Sequence, residues 1–121
     1  METQSDLLSQ DLLVFDVDGT LETSGGPVKL SSLAHLTSWG VLSSRSRERA
    51  KEAIPNLEPL FIEVCRVDMR TEELLRIKNN YPKFGRYIYV ADRDIDQSEA
   101  LAAGWEFCFG HNLGKLLQEL T

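Results

Sequence analysis

Residues Leu12 to Leu21 read LLVFDVDGTL, and the fold follows from how this stretch is built. Four apolar residues, Leu12, Leu13, Val14 and Phe15, run without a polar break into Asp16, Val17, Asp18, Gly19 and Thr20. A short continuous apolar run ended by turn residues predicts a strand buried on both faces, of the kind parallel sheets hold between helix layers. Open α/β sheets bind ligands beyond the carboxyl ends of such strands, and the two aspartates stand there. Carboxylates so close repel one another. A hard cation such as Mg²⁺ relieves the repulsion, and one carboxylate can act as a nucleophile on phosphorus. Plainer readings compete. Asp18-Gly19 is a hairpin signal, but Glu22 to Gly26 makes a poor second strand. An EF-hand loop needs a Glu where Gly25 stands. The aspartates could also be solvated residues at a strand end.

Composition narrows the class. At 121 residues the chain fits one domain, read as a core over 11–121 preceded by a flexible tail over 1–10. A 42% hydrophobic and 26% charged make-up suits a globular protein. A net charge of −6 argues against general nucleic-acid binding and makes a cation necessary wherever phosphate is handled. No apolar run approaches a membrane span, and METQSDLLSQ lacks the basic and apolar regions of a signal peptide. Cys65 and Cys108 fit neither a disulfide framework nor a metal spacing, so both are expected reduced, in the cytoplasm.

Along the chain, Thr20 to Val28 is a turn-rich excursion, in which Gly25-Gly26 gives mobility. A helix is expected over Lys29–Thr37, a strand over Trp39–Leu42 and a charged helix over Arg45–Ala53, stopped by Pro55. A strand over Leu60–Cys65 and a helix over Arg70–Asn80 follow. Next come a strand over Tyr87–Ala91, a helix over Ser98–Ala103 with Gly104 as its left-handed cap, and a strand over Trp105–Phe109. A last helix opens at Asn112. This alternation predicts βαβ units and one five-stranded parallel sheet. His35 and His111 are isolated and read as structural.

Asp16-Val17-Asp18-Gly19-Thr20-Leu21, with the elements after it, resembles the haloacid dehalogenase-like hydrolases, a superfamily composed mostly of phosphatases. The resemblance spans Leu12 to the last helix. It implies a three-layer Rossmann-like fold with strand order 5-4-1-2-3 and helices on both faces. It also implies that Asp16 is the nucleophile, and that Asp18 is the general acid and base and binds Mg²⁺ through its backbone carbonyl. Gly19 and Thr20 fall in the phosphate-binding turn, and residues 20–28 fall where the family has its flap. The second family motif, a Ser or Thr after the next strand, corresponds to Ser43, with Ser44 as the alternative binder or a helix cap. The third, a Lys or Arg near a helix start, corresponds to Arg70. Lys78 competes for that role, and Arg70 could also be a solvated surface residue. The fourth corresponds to Asp92 and Asp96, with Asp92 on the metal directly and Asp96 through water or outer hydrogen bonds. Ala91 stands where the family usually has glycine.

The intervals from Asp18 to Ser43 and from Ser43 to Arg70 are too short for the family's cap domain, so the resemblance implies a capless, open site. Asp18 is absent from the family's dehalogenases, so its presence favours phosphoryl chemistry. The expected activity is Mg²⁺-dependent hydrolysis of a phosphorylated small molecule or macromolecule through an aspartyl-phosphate. A homo-oligomer covering the crevice is one way to close such a site. A binding or regulatory module of the same fold, with little turnover, is the alternative. The family's strand order also puts Cys65 and Cys108 at opposite sheet edges, four intervals of ~4.8 Å apart, far beyond disulfide reach.

Overall fold

A computed structural model describes residues 11–120; the expected tail over 1–10 lies outside them. Five strands form one sheet: β1 (Asp11–Phe15), β2 (Trp39–Ser43), β3 (Ile62–Val64), β4 (Arg86–Ala91) and β5 (Glu106–Phe109). Their order is β3-β2-β1-β4-β5 and every neighbouring pair is parallel. This is the expected order read from the other edge. The helices are α1 (Leu30–Leu33), α2 (Arg47–Glu52), α3 (Arg70–Asn80), α4 (Asp94–Ala102) and α5 (Leu113–Leu120). No helix among the described residues is long and apolar enough to cross a membrane.

β1 is central because it is apolar on both faces. Strand side chains alternate between faces, and β1 divides accordingly. Leu13 and Phe15 join one buried cluster with Leu33 of α1, Ala50 of α2 and Leu113 of α5. Leu12 and Val14 join the other, with Leu74 and Ile77 of α3 and Ala100 of α4. Helices therefore cover both faces. The chain leaves β1 toward β2 and β3 on one side, then returns through α3 to β4 on the other. The order reverses between β1 and β4, and that reversal opens a crevice at their carboxyl ends. Asp16 extends the pairing, its N–H donating to the Val90 carbonyl at 2.9 Å, which sets it beside the chain entering Asp92.

Several elements differ from expectation. The helix foreseen over Lys29–Thr37 is one turn, Leu30–Leu33; its N-cap Lys29 offers no side-chain cap, and its serines favour turns over helix interiors. The helix foreseen from Arg45 starts at Arg47, capped by Ser46, whose hydroxyl accepts the Arg49 N–H at 3.2 Å. Ser44 is therefore not the cap. β3 is shorter than Leu60–Cys65, although the Leu60 and Cys65 N–H groups still donate to Trp39 and Ser43 of β2. α4 begins at Asp94 rather than Ser98, because acidic residues suit a first helical turn. It closes before Gly104, whose φ is 77°.

The excursion after β1 is tied down rather than loose. Glu22 N–H donates to Val28, Val28 N–H to Thr20 and Gly26 N–H to Leu21, all within 2.9 Å. Gly26 serves this closure: a Cβ there would lie 2.2 Å from the Thr20 carbonyl carbon. Gly26 is therefore needed for this close approach. Cys65 follows β3 at one sheet edge, Cys108 lies in β5 at the other, and both are free.

Candidate active site

The crevice collects acidic side chains from two strand ends. Asp16 leaves β1, while Asp92 and Asp96 follow β4; one carboxylate oxygen from each lies within 4.8 Å of the others. Asp16 and Asp96 are buried and Asp92 is exposed. Burial is the main cause that lifts the Asp16 carboxyl from 3.8 to about 6. The Arg70 charge opposes the rise, and the Asp96 and Asp92 carboxylates add to it.

Gly19 makes the crowding possible. Its φ is 72°, and a Cβ there would sit 2.4 Å from Asp92 Oδ2. The Asp-Gly turn lets the Asp92 carboxylate press against bare backbone. Thr20 is fully buried behind the pair, and its hydroxyl lies 3.3 Å from Asp16 Oδ2 and 3.4 Å from Asp92 Oδ1. One hydroxyl proton can serve only one of them at a time.

Arg70 is the counter-charge. It opens α3 and is 2% exposed, so the solvated-surface reading of it is corrected. Its Nη2 donates to Asp16 Oδ1 at 3.3 Å, its Nε to the Tyr89 hydroxyl at 2.9 Å and its Nη1 to the Val67 carbonyl at 3.0 Å. A buried guanidinium is tolerable only when paired and hydrogen-bonded in this way. Lys78, the competing cation, instead places Nζ 5.1 Å from the Tyr87 ring centre.

Asp96 stands behind the cleft. At the third position of α4 its Oδ2 accepts the Arg93 N–H at 3.2 Å, reaching back as in a capping box. It also accepts from the Arg93 guanidinium at 3.3 and 3.1 Å, and lies 3.6 Å from Arg70 Nε. Its lone pairs are largely committed, so it fastens Arg70 and the start of α4 more than it projects outward.

Asp18 stands apart from the carboxylate cluster. Arg45 Nε lies 3.1 and 3.0 Å from its two oxygens. The cleft, about 350 Å³, is lined by Asp16, Asp18, Gly19, Ser44, Val67, Arg70, Asp92 and Arg93. Ser43 is buried beneath it, and its Oγ accepts the Arg45 N–H at 2.9 Å. Ser44 is the serine on the cleft wall. Ala91 is fully buried in the cluster under α3 and α4, so its methyl adds to that core. His35 and His111 lie away from this lining, with His111 stacked on Phe109 at 5.7 Å.

The structure thus brings Asp16, Gly19, Arg70 and Asp92 together, with Thr20 and Asp96 behind them and Asp18 and Ser44 on the rim. Sequence reading did not single out Arg45, Tyr89 or Arg93. Tyr89 carried one signal, a hydroxyl at a fully apolar strand position, since a buried phenol needs a partner.

The donor set suits a hard divalent cation, since all three side chains offer carboxylate oxygens. Among the described residues the exposed Asp92 carboxylate holds only the long Thr20 contact, which leaves lone pairs for an ion. A separate hollow between α2 and β3, lined by Arg47, Lys51, Ile54 and Phe61 among others, contains none of these carboxylates. No protein-family model, no curated protein and no solved structure matches the chain.

Proposed function

We propose that this chain is a Mg²⁺-dependent phosphomonoester hydrolase of haloacid dehalogenase-like type, working through phosphorylated Asp16. The observation that carries the reading is the convergence of Asp16, Asp92 and Arg70 in one cleft at the β1–β4 reversal. Asp16 and Asp92 would hold the cation through carboxylates, and Asp18 through its main-chain carbonyl as the family resemblance implies. Asp96 would support them from behind. A bound divalent cation supplies neutralisation of charge on the phosphoryl oxygens.

Asp16 Oδ attacks phosphorus, and the bond from phosphorus to the leaving oxygen breaks. Asp18, as the acid, gives that oxygen its proton. Asp18, now a carboxylate, takes a proton from water, which attacks phosphorus. The bond to Asp16 then breaks and phosphate leaves. Arg70 keeps its charge throughout, and its hydrogen bond to Asp16 fixes the nucleophile and faces the incoming phosphoryl group. Such transfers depend mainly on positioning and electrostatics. The Ser44 hydroxyl, on the cleft wall, donates to a phosphoryl oxygen, and Gly19 lets that group approach the backbone.

A second reading, a binding or regulatory module of the same fold, is favoured by one feature: Arg45 holds the Asp18 carboxylate. p-Nitrophenyl phosphate hydrolysis, with Mg²⁺ and with EDTA, separates the two. Under the first reading turnover requires Mg²⁺, Asp16→Asn abolishes it, and acid-quenched protein carries phosphate on the peptide containing Asp16. Turnover retained by Asp16→Asn would refute the nucleophile. No turnover across a broad panel of phosphomonoesters would favour the module.

A further inference from the structure

Beside the phosphate cleft lies a second cavity of about 440 Å³, lined by Val17, Asp18, Thr23, Ser24, Arg45, Arg49, Glu52 and Ala53. Asp18 belongs to both spaces. It is paired at 3.0 Å with Arg45, which lines the second. Among the described residues Arg45 is held only through Nε, and its two terminal nitrogens have no partner. Arg49, in the first turn of α2, has no partner for its guanidinium among the described residues. Glu52 lines the same cavity without an ion pair to Arg49. Two guanidiniums with free donors thus face a hollow that begins at the proposed proton donor.

We infer that this hollow is the leaving-group subsite, and that it selects phosphomonoesters whose leaving group bears a second anionic group, a carboxylate or a phosphate. The inference rests on the hydrolase reading above and names its substrate class. Geometry dictates the direction. Asp18 protonates the leaving oxygen, so the rest of the leaving group must extend past Asp18, and the space past Asp18 is this cavity. An anion arriving there meets the terminal nitrogens of Arg45 and the whole guanidinium of Arg49, with the planar donor fork that suits carboxylate and phosphate. Glu52 receives a hydroxyl or amine on the same group. Arg49, whose guanidinium is uncommitted among the described residues, is thus the specificity residue.

The test uses two matched substrates, 4-carboxyphenyl phosphate and its neutral carbamoyl analogue, with Mg²⁺. Wild type should prefer the carboxylate about fivefold in kcat/KM, the factor about 1 kcal/mol gives for an exposed charge pair. Arg49→Gln should lower that preference below about twofold. Arg49 is exposed and its cap to Ser46 is made by its main chain, so the fold is retained. A wild type that turns over both substrates without preference, or a preference unchanged in Arg49→Gln, overturns the subsite. A second measurement serves if neither substrate is hydrolysed, which would count against the hydrolase reading alone. Calorimetric binding of 4-carboxyphenylphosphonate should then exceed that of phenylphosphonate about fivefold in wild type and equal it in Arg49→Gln. Equal affinities in wild type overturn the subsite by themselves.

Discussion

Replacing Asp16 by asparagine should stabilise the metal-free protein at neutral pH and leave it nearly unchanged in acid. The carboxyl is 3% exposed and stands among Asp92, Asp96 and Arg70. Burial, with the two neighbouring carboxylates, holds it at about 6 instead of 3.8. At 1.36 kcal/mol for each tenfold change in proton affinity, the ionised form costs the fold about 3 kcal/mol once both states are deprotonated. The sign follows from the direction. A carboxyl raised in the folded state contributes stability that is fully present below about pH 4. That contribution is lost as the pH climbs through about 6. Asparagine keeps the neutral form at every pH, and its amide oxygen still accepts from Arg70. The advantage of Asp16→Asn should therefore grow from under about 1 kcal/mol near pH 4 to about 3 kcal/mol near pH 8. Urea unfolding of both proteins in EDTA, at several pH values, measures it. Mg²⁺ should reverse the ranking at about a thousandfold excess over its dissociation constant, where wild type gains about 4.1 kcal/mol. Equal stabilities near pH 8 in EDTA, or a difference that persists undiminished into acid, would refute the electrostatic account.

Three further changes test other parts of the site. Tyr89→Phe removes the acceptor for Arg70 Nε and leaves a charged donor short of a partner in a buried place; thermal or urea unfolding should register a loss of about 2 kcal/mol. Gly19→Ala puts a methyl where Asp92 Oδ2 lies and strains a φ of 72°; it should cost about 1–2 kcal/mol and weaken Mg²⁺ binding about tenfold or more by calorimetry. Burial pushes the Cys65 thiol up to about 11 and raises the Cys108 thiol too. Iodoacetamide near pH 8 should therefore modify both slowly in the folded chain and rapidly after unfolding, and mass spectrometry without reductant should find no bond between them.

The parallel sheet was legible because its signal is local. An apolar run such as Leu12–Phe15 has one stable placement, between two helix layers, and alternation with helical segments leaves few topologies. The helix over Arg70–Asn80 was read at its true bounds for the same reason. Asp16, Asp92 and Arg70 were legible as types and spacings. That they meet was decided by the crossover through α3, which returns the chain to the far side of β1 and sets β4 against it. Competition between neighbours hid the remainder. Asp94 and Asp96 resemble loop residues until a helix gives them a dipole and an Arg93 N–H to accept. Ser46 rather than Ser44 caps α2, a choice made by backbone direction. Arg45 and Asp18 are remote in sequence, as are Tyr89 and Arg70, and each pair exists only because folding brings its members together. Residue types fix which charges a site can contain, but a charge acquires its partner, its burial and its proton affinity only when folding closes the distance.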